Sequence, residues 1–111
     1  MKSIYRLKKN YQYNYVYKHV NSIADKNFIL LYCASNGKTS KVGFSVSKKY
    51  GKAVQRNRIR RQLKAAVSDV MPNAKNGFNA VFIPRRHEAY DFDEISASVN
   101  SLFEKAGLMK E

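Results

Sequence analysis

The chain has 111 residues, enough for one domain and too short for two. Hydrophobic residues make up 44%, which permits a modest core and argues against disorder, and no apolar run approaches the roughly 20 residues that span a bilayer. Lysine and arginine number 21 against eight acids, a net charge of +13, so a polyanionic partner is expected.

No repeat, low-complexity tract or linker divides the chain, which reads as a single domain over 1–111. Met1–Arg6 is not followed by the apolar stretch of a signal peptide. Cys33 is the lone cysteine, so neither an intrachain disulfide nor a cysteine zinc cluster is possible. These features predict a cytoplasmic protein with no membrane association, and no protein partner is evident.

Residues 10–20 carry two patterns. Tyr11, Tyr13, Tyr15 and Tyr17 alternate as in a strand, while Tyr13, Val16, Tyr17 and Val20 follow helical spacing. With Asn10 as an N-cap, helix is the reading adopted. Phe28–Ala34 reads as a buried strand and Lys41–Ser47 as its antiparallel hairpin partner, joined by the turn sequence Ser35-Asn36-Gly37-Lys38. In the second strand Val42, Phe44 and Val46 share the core face; Lys41, Gly43, Ser45 and Ser47 share the other, which suits the floor of a shallow groove.

From Ala53 to Val70 the spacing turns helical, with Ile59, Leu63, Ala66, Val67 and Val70 on one stripe and Pro72-Asn73 as terminator. Phe78–Ile83 is a third strand, stopped by Pro84. A final helix starts at Asp91 as N-cap with Glu94 as capping-box partner. It carries Ile95, Val99, Leu102, Phe103 and Ala106 on one stripe and ends at Gly107. The order α-β-β-α-β-α predicts an α+β sandwich: helices packed on a small, mostly antiparallel sheet.

The charge is polarised. Residues 1–68 hold sixteen basic side chains and one acid, Asp25, whereas 69–111 hold five basic and seven acidic ones. Residues 48–64 contain eight of the cations (Lys48, Lys49, Lys52, Arg56, Arg58, Arg60, Arg61 and Lys64) and no acid. On a helical wheel Asn57, Arg60, Arg61 and Lys64 project opposite Ile59 and Leu63, with Arg58 on a flank and Arg56 near the apolar edge. A solvated helix face mixes signs to gain favourable i,i+4 pairs, and this one offers only repulsive pairs. It therefore reads as a polyanion-binding face, without separating RNA from DNA or acidic lipid.

Tyr13 and Tyr17 lie one turn apart near Lys8, Lys9 and Lys18. Stacking rings beside cations suit a single-stranded nucleic acid; core packing against the sheet explains the same spacing. Nuclease candidates are sparse. His19 and His87 form an acid–base pair only if the fold joins them. Asp91, Asp93 and Glu94 are accounted for by helix capping before cation binding, and Cys33 by core packing. The chain's own side chains offer no catalytic residue and no metal site.

The run Lys41–Leu63, KVGFSVSKKYGKAVQRNRIRRQL, is far more specific than any of these patterns. It resembles the protein subunit of bacterial ribonuclease P. The resemblance rests on Ser45-Val46-Ser47-Lys48-Lys49, then Gly51-Lys52-Ala53-Val54, then Arg56-Asn57-Arg58-Ile59-Arg60-Arg61 opening a basic helix. Arg6-Leu7-Lys8-Lys9-Asn10 before an aromatic-rich helix matches too, and the likeness extends over nearly the whole chain. It implies an α/β fold with a four-stranded sheet and a left-handed βαβ crossover through the basic helix, although sequence rules favour the right-handed form. It implies binding to a catalytic RNA and to the 5′ leader of precursor tRNA, so that hydrolysis yields the mature 5′ end. The chemistry and its Mg²⁺ would reside mainly on the RNA.

Residue by residue, Arg56, Asn57, Arg58, Arg60, Arg61 and Lys64 match the RNA-binding helix, preceded by Lys48, Lys49 and Lys52. Tyr13 and Tyr17 match aromatic positions of a leader cleft whose floor would include Ser45 and Ser47. Leu31 stands at a cleft position where an aromatic occurs in some relatives, and Gln62 and Ala65 make the later part of the helix less basic. The alternative reading is an RNA-binding protein of another assembly, such as a ribosome-associated factor. A third is a protein-only nuclease using His19 and His87.

Overall fold

A computed structural model of the chain describes residues 5–7, 10–18, 21–35, 37, 39–85 and 88–110, with only the backbone for 11 and 12. The elements run α1 (Asn10–Lys18), β1 (Asn21–Ala24), β2 (Phe28–Ala34), β3 (Lys41–Phe44), α2 (Ala53–Val70), β4 (Phe78–Pro84) and α3 (Phe92–Lys105). The strands form one mixed sheet in the order β1-β2-β4-β3.

The helices follow their apolar spacing. All five predicted stripe residues of α2 are buried, as are Ile95, Val99, Leu102 and Phe103 of α3. The Asp91 carboxylate caps α3 by accepting from the Asp93 N–H at 3.2 Å. At the other end Gly107 adopts φ +73°. The Gly107 N–H then reaches the Glu104 carbonyl and the Leu108 N–H reaches that of Phe103. This paired closure needs a left-handed residue, which glycine supplies without a Cβ clash. Helix α1 begins at Asn10 itself, so Asn10 is its first residue rather than a cap outside it.

The predicted hairpin is wrong. Strand β2 pairs antiparallel with β1 on one side and β4 on the other, and β3 pairs parallel with β4. Hydrogen bonds in the 35–40 loop show why. The Ser35 N–H donates to the Gly77 carbonyl at 2.7 Å. The Ser40 hydroxyl donates to the Lys75 carbonyl at 2.7 Å and accepts from the Phe78 N–H at 3.2 Å. The loop is thus tied across the start of β4 and delivers β3 to its far edge. Asn36 and Lys38 of the expected turn lie outside the described residues. Strand β3 also stops at Phe44, not Ser47, because Lys48–Tyr50 coil into a 3₁₀ turn.

The strand absent from the sequence reading is β1. Its four residues, Asn-Ser-Ile-Ala, are largely exposed on an edge, too short and polar to show a period. The β3–α2–β4 unit is the parallel crossover, and α2 and α3 lie on the same sheet face.

Two cores result. On the α2/α3 face Phe28, Leu30, Ala80 and Phe82 meet Ile59, Leu63, Val99 and Phe103. The Phe82 and Phe103 rings stack with centroids 5.9 Å apart. On the opposite face a smaller cluster of Leu7, Val16, Cys33 and Val81 seats α1, with Tyr13, Leu31 and Ile83 at its border. Cys33 is buried there, as its apolar strand predicts, and burial pushes its thiol pKa up. Its alkylation should run at least about tenfold slower than that of a cysteine peptide, because reaction waits for α1 to open. Labelling at the peptide rate in folded protein would mean that α1 is not seated as described.

Candidate nucleic-acid interface

Helix α2 carries the basic segment, and the sheet divides its side chains between two surroundings. Lys52, Asn57, Arg58 and Arg61 are exposed, with Lys48 and Lys49 exposed on the preceding turn. Arg56, Arg60 and Lys64 are half-buried. The charges oppose the helix dipole. The first turn holds no acid and the last no base, while the one acid of the helix, Asp69, stands near its C-terminus. Placing cations at the positive end destabilises the helix and strengthens the field it presents to an anion. The Gln55 side-chain Oε1 partly offsets this by accepting from the Lys52 N–H at 2.7 Å.

The Arg60 guanidinium leans off the outer face. One nitrogen lies 3.5 Å from the Val46 carbonyl and another 3.4 Å from the Asn57 side-chain oxygen. Arg56 sits at the apolar edge, as the wheel placed it, and its Nε is buried without a hydrogen-bond partner. A shallow trough along the outer face is lined by Val54, Asn57, Arg60, Arg61 and Lys64.

The two candidate tyrosines separate. Tyr13 is half-buried, and its hydroxyl sits 3.4 Å from the Leu7 carbonyl and accepts from the Phe44 N–H at 3.3 Å. Desolvation, the largest influence, raises its phenol pKa. Its ring lies directly over Gly43: a Cβ there would meet Tyr13 Cε1 at 2.6 Å. Tyr13 therefore clamps the N-terminal segment and α1 to β3. Tyr17, one turn on, is 42% exposed and keeps its ring available.

The sheet face beneath α1 is small or apolar. The pairing registers put Leu31, Val81 and Gly43 in one row and Ile29 and Ile83 in the next. Ser45 continues the β3 side, half-buried, with its N–H donating to the Phe82 carbonyl at 3.0 Å. Ser47 is exposed beyond the strand end, so it borders the groove rather than flooring it. Leu31 is on this face, as the sequence placed it.

Arg6 was missed. Its backbone bridges to Val42 in parallel, and its side chain joins Arg60 and Lys64 around a recess beside Tyr13 and Gly43. The basic stretch at residues 6–9 was the available signal, but nothing local aims Arg6 at α2. Lys8, Lys9, His19 and His87 lie outside the described residues. Among those described, no three His, Cys, Asp or Glu side chains gather as a cation site would need. Among them, too, no helix is long and apolar enough to cross a membrane.

A family model described as Ribonuclease P matches residues 1–107. The chain belongs to the ribonuclease P protein family. It is 43% identical to the ribonuclease P protein component of Clostridium kluyveri over 96% of this chain and 98% of that one. With the Symbiobacterium thermophilum ribonuclease P protein component it shares 37% identity over 99% and 97%. Among solved structures, the Staphylococcus aureus RNase P protein superposes with a TM-score of 0.86 at 27% identity, covering 96% of this chain and 98% of that one. The Thermotoga maritima RNase P protein gives 0.81 at 25%, over 90% and 96%. The chain is thus a ribonuclease P protein component, part of an endoribonuclease, and its partner is the ribonuclease P RNA. The family and the matched structures favour this reading over a protein of another RNA assembly.

Proposed function

We propose that the exposed cations of α2 dock the catalytic RNA, while the cleft beside α1 holds the single-stranded 5′ leader of precursor tRNA in the cytoplasm. Hydrolysis of the leader phosphodiester then occurs on the RNA, with Mg²⁺ held mainly by RNA phosphates. The observation that carries this reading is the outer face of α2. Lys52, Asn57, Arg58 and Arg61 are all exposed, and the one acid of α2, Asp69, stands near its far end. Such a face binds phosphates by charge and by displacing counterions. Tyr17 on α1 offers an exposed ring, which suits stacking with an unpaired base.

Reconstitution tests it. The purified chain should leave precursor tRNA intact, and the chain with the catalytic RNA and Mg²⁺ should release the leader. Cleavage by the chain alone, lost on His19→Ala or His87→Ala, would support a protein-only nuclease instead. Binding to the catalytic RNA should weaken steeply with salt. For about six neutralised phosphates the log–log slope is roughly −4 to −5. A near-flat salt dependence would contradict docking through α2.

A further inference from the structure

The flank of α2 turned away from Arg60 and Lys64 carries Gln55, Arg58 and Gln62, spaced i, i+3 and i+7 on one stripe. They line a pocket of about 150 Å³ together with Glu88 and Ala89, and Tyr50 and Ile59 complete its lining. The pocket is shaped from both sides. Gln55 folds back so that its Oε1 accepts from the Lys52 N–H, and Gly51 permits this because a Cβ there would collide with Gln55 Oε1. In the segment that carries Glu88, the Tyr50 hydroxyl donates to the Glu88 carbonyl at 3.0 Å. Two residues on, Tyr90 is buried, with its ring stacked on Phe28 at 5.0 Å and its hydroxyl donating to the Asn27 carbonyl at 2.8 Å. An exposed acid is thus carried on backbone that is tied down at Glu88 and at Tyr90.

Glu88 is the one acid in this lining and Arg58 the one cation. Beside a helix face that meets RNA phosphates a carboxylate is repelled, unless it accepts from the N–H groups of a base. Unpaired RNA bases are recognised in this way, along their Watson–Crick edges. Guanine alone of the four bases presents two adjacent N–H donors on that edge, its ring N–H and its exocyclic amine. They match the two oxygens of one carboxylate. The guanine carbonyl beside them needs a donor. Gln62 Nε2 reaches the Tyr90 carbonyl at 3.5 Å, and an amide nitrogen carries a second hydrogen. We propose that this pocket receives one unpaired guanine of the catalytic RNA, with Glu88 accepting from its two donors and Gln62 donating to its carbonyl oxygen. Tyr50 and Ile59 give the ring an apolar bed, and exposed Arg58 takes a phosphate of the same nucleotide. The outer row of α2 supplies charge, and the pocket supplies register, because a phosphate contact carries no sequence information and a base contact does.

This inference rests on the reading that α2 docks the catalytic RNA, and the measurements separate the two. Glu88→Gln keeps the size of the side chain and removes its charge. If charge alone governed binding, losing an acid would tighten the complex with the catalytic RNA. With a guanine in the pocket the complex weakens instead, by about tenfold. Its salt slope stays the same, since no phosphate contact is lost. Gln62→Leu should also weaken it, by a smaller factor. Inosine, which is guanosine without the exocyclic amine, identifies the base. Catalytic RNA carrying inosine phosphorothioate at scattered guanosine positions would be partitioned on each protein and cleaved with iodine. At one unpaired guanosine, inosine should be depleted from the RNA bound by the parent chain and by Gln62→Leu, and not from that bound by Glu88→Gln. Effects of inosine on RNA folding are common to all three proteins and cancel. Unchanged or tighter binding by Glu88→Gln, a collapse of its Tm, or one inosine pattern shared by all three proteins would each overturn the pocket. If Arg58→Ala combined with Arg61→Ala still weakens binding, docking through α2 stands without the pocket. If neither change alters affinity, both readings fall.

Discussion

Arg58→Ala combined with Arg61→Ala should weaken binding to the catalytic RNA by about a hundred- to ten-thousand-fold, at roughly 1.5–3 kcal/mol for each charge-assisted contact. Both side chains are exposed, so no core contact is lost. Alanine is the stronger helix former, and two repulsive charges leave the positive end of the helix. The double variant should therefore fold at least as stably as the parent. Filter binding or calorimetry at two salt concentrations checks the affinity, and the log–log slope should fall by roughly 1.5–2 as two phosphate contacts disappear. Unchanged affinity would show that the outer face is only solvated. An unfolded double variant would contradict the orientation of α2, in which Ile59 and Leu63 alone face the sheet on this part of the helix.

Tyr17→Ala should lower holoenzyme affinity for precursor tRNA by about ten- to a hundred-fold, and leave that for mature tRNA nearly unchanged. This is the loss of one or two base–aromatic stacks at roughly 1–3 kcal/mol each. The ring is 42% exposed, so its removal leaves the small core under α1 intact. Tyr13→Ala should behave differently. It empties the space above Gly43 and strips the Phe44 N–H of its acceptor, so the main effect is a lower Tm. Tyr13→Phe keeps the ring and should cost about 1 kcal/mol. Equal losses for precursor and mature tRNA in folded Tyr17→Ala would rule out leader recognition by α1. A collapse in stability would return Tyr17 to the core.

This division of labour between two tyrosines one turn apart was not visible in the sequence. Spacing put Tyr13 and Tyr17 on one helix face together with Val16, and each suited stacking or packing equally well. Which ring is enclosed depends on Gly43 and Phe44, some thirty residues away. The same holds for Arg60 and Lys64. The wheel grouped them with Arg61 because all three oppose Ile59 and Leu63. Only the docked N-terminal segment, with Arg6 paired beside Val42, turns two of them toward the cleft.

By itself the sequence determined the elements whose stability is local or periodic. Helix α2 and helix α3 were bounded by their stripes and end signals, since burial at 3.6-residue spacing and the left-handed stop at Gly107 act over a few residues. It also determined the excess of positive charge and, through the run from Lys41 to Leu63, the family. Tertiary structure alone decided strand partners and the sharing of side chains between surfaces. An apolar strand such as Phe28–Ala34 can pair with any suitable edge. The choice of β1 and β4 over β3 was made by bonds from Ser35 and Ser40 to residues 75–78, contacts that no local pattern encodes. For the same reason the short polar strand β1 exists only because β2 has an edge to lend it, and the recess at Arg6, Arg60 and Lys64 only because α1, β3 and α2 meet there.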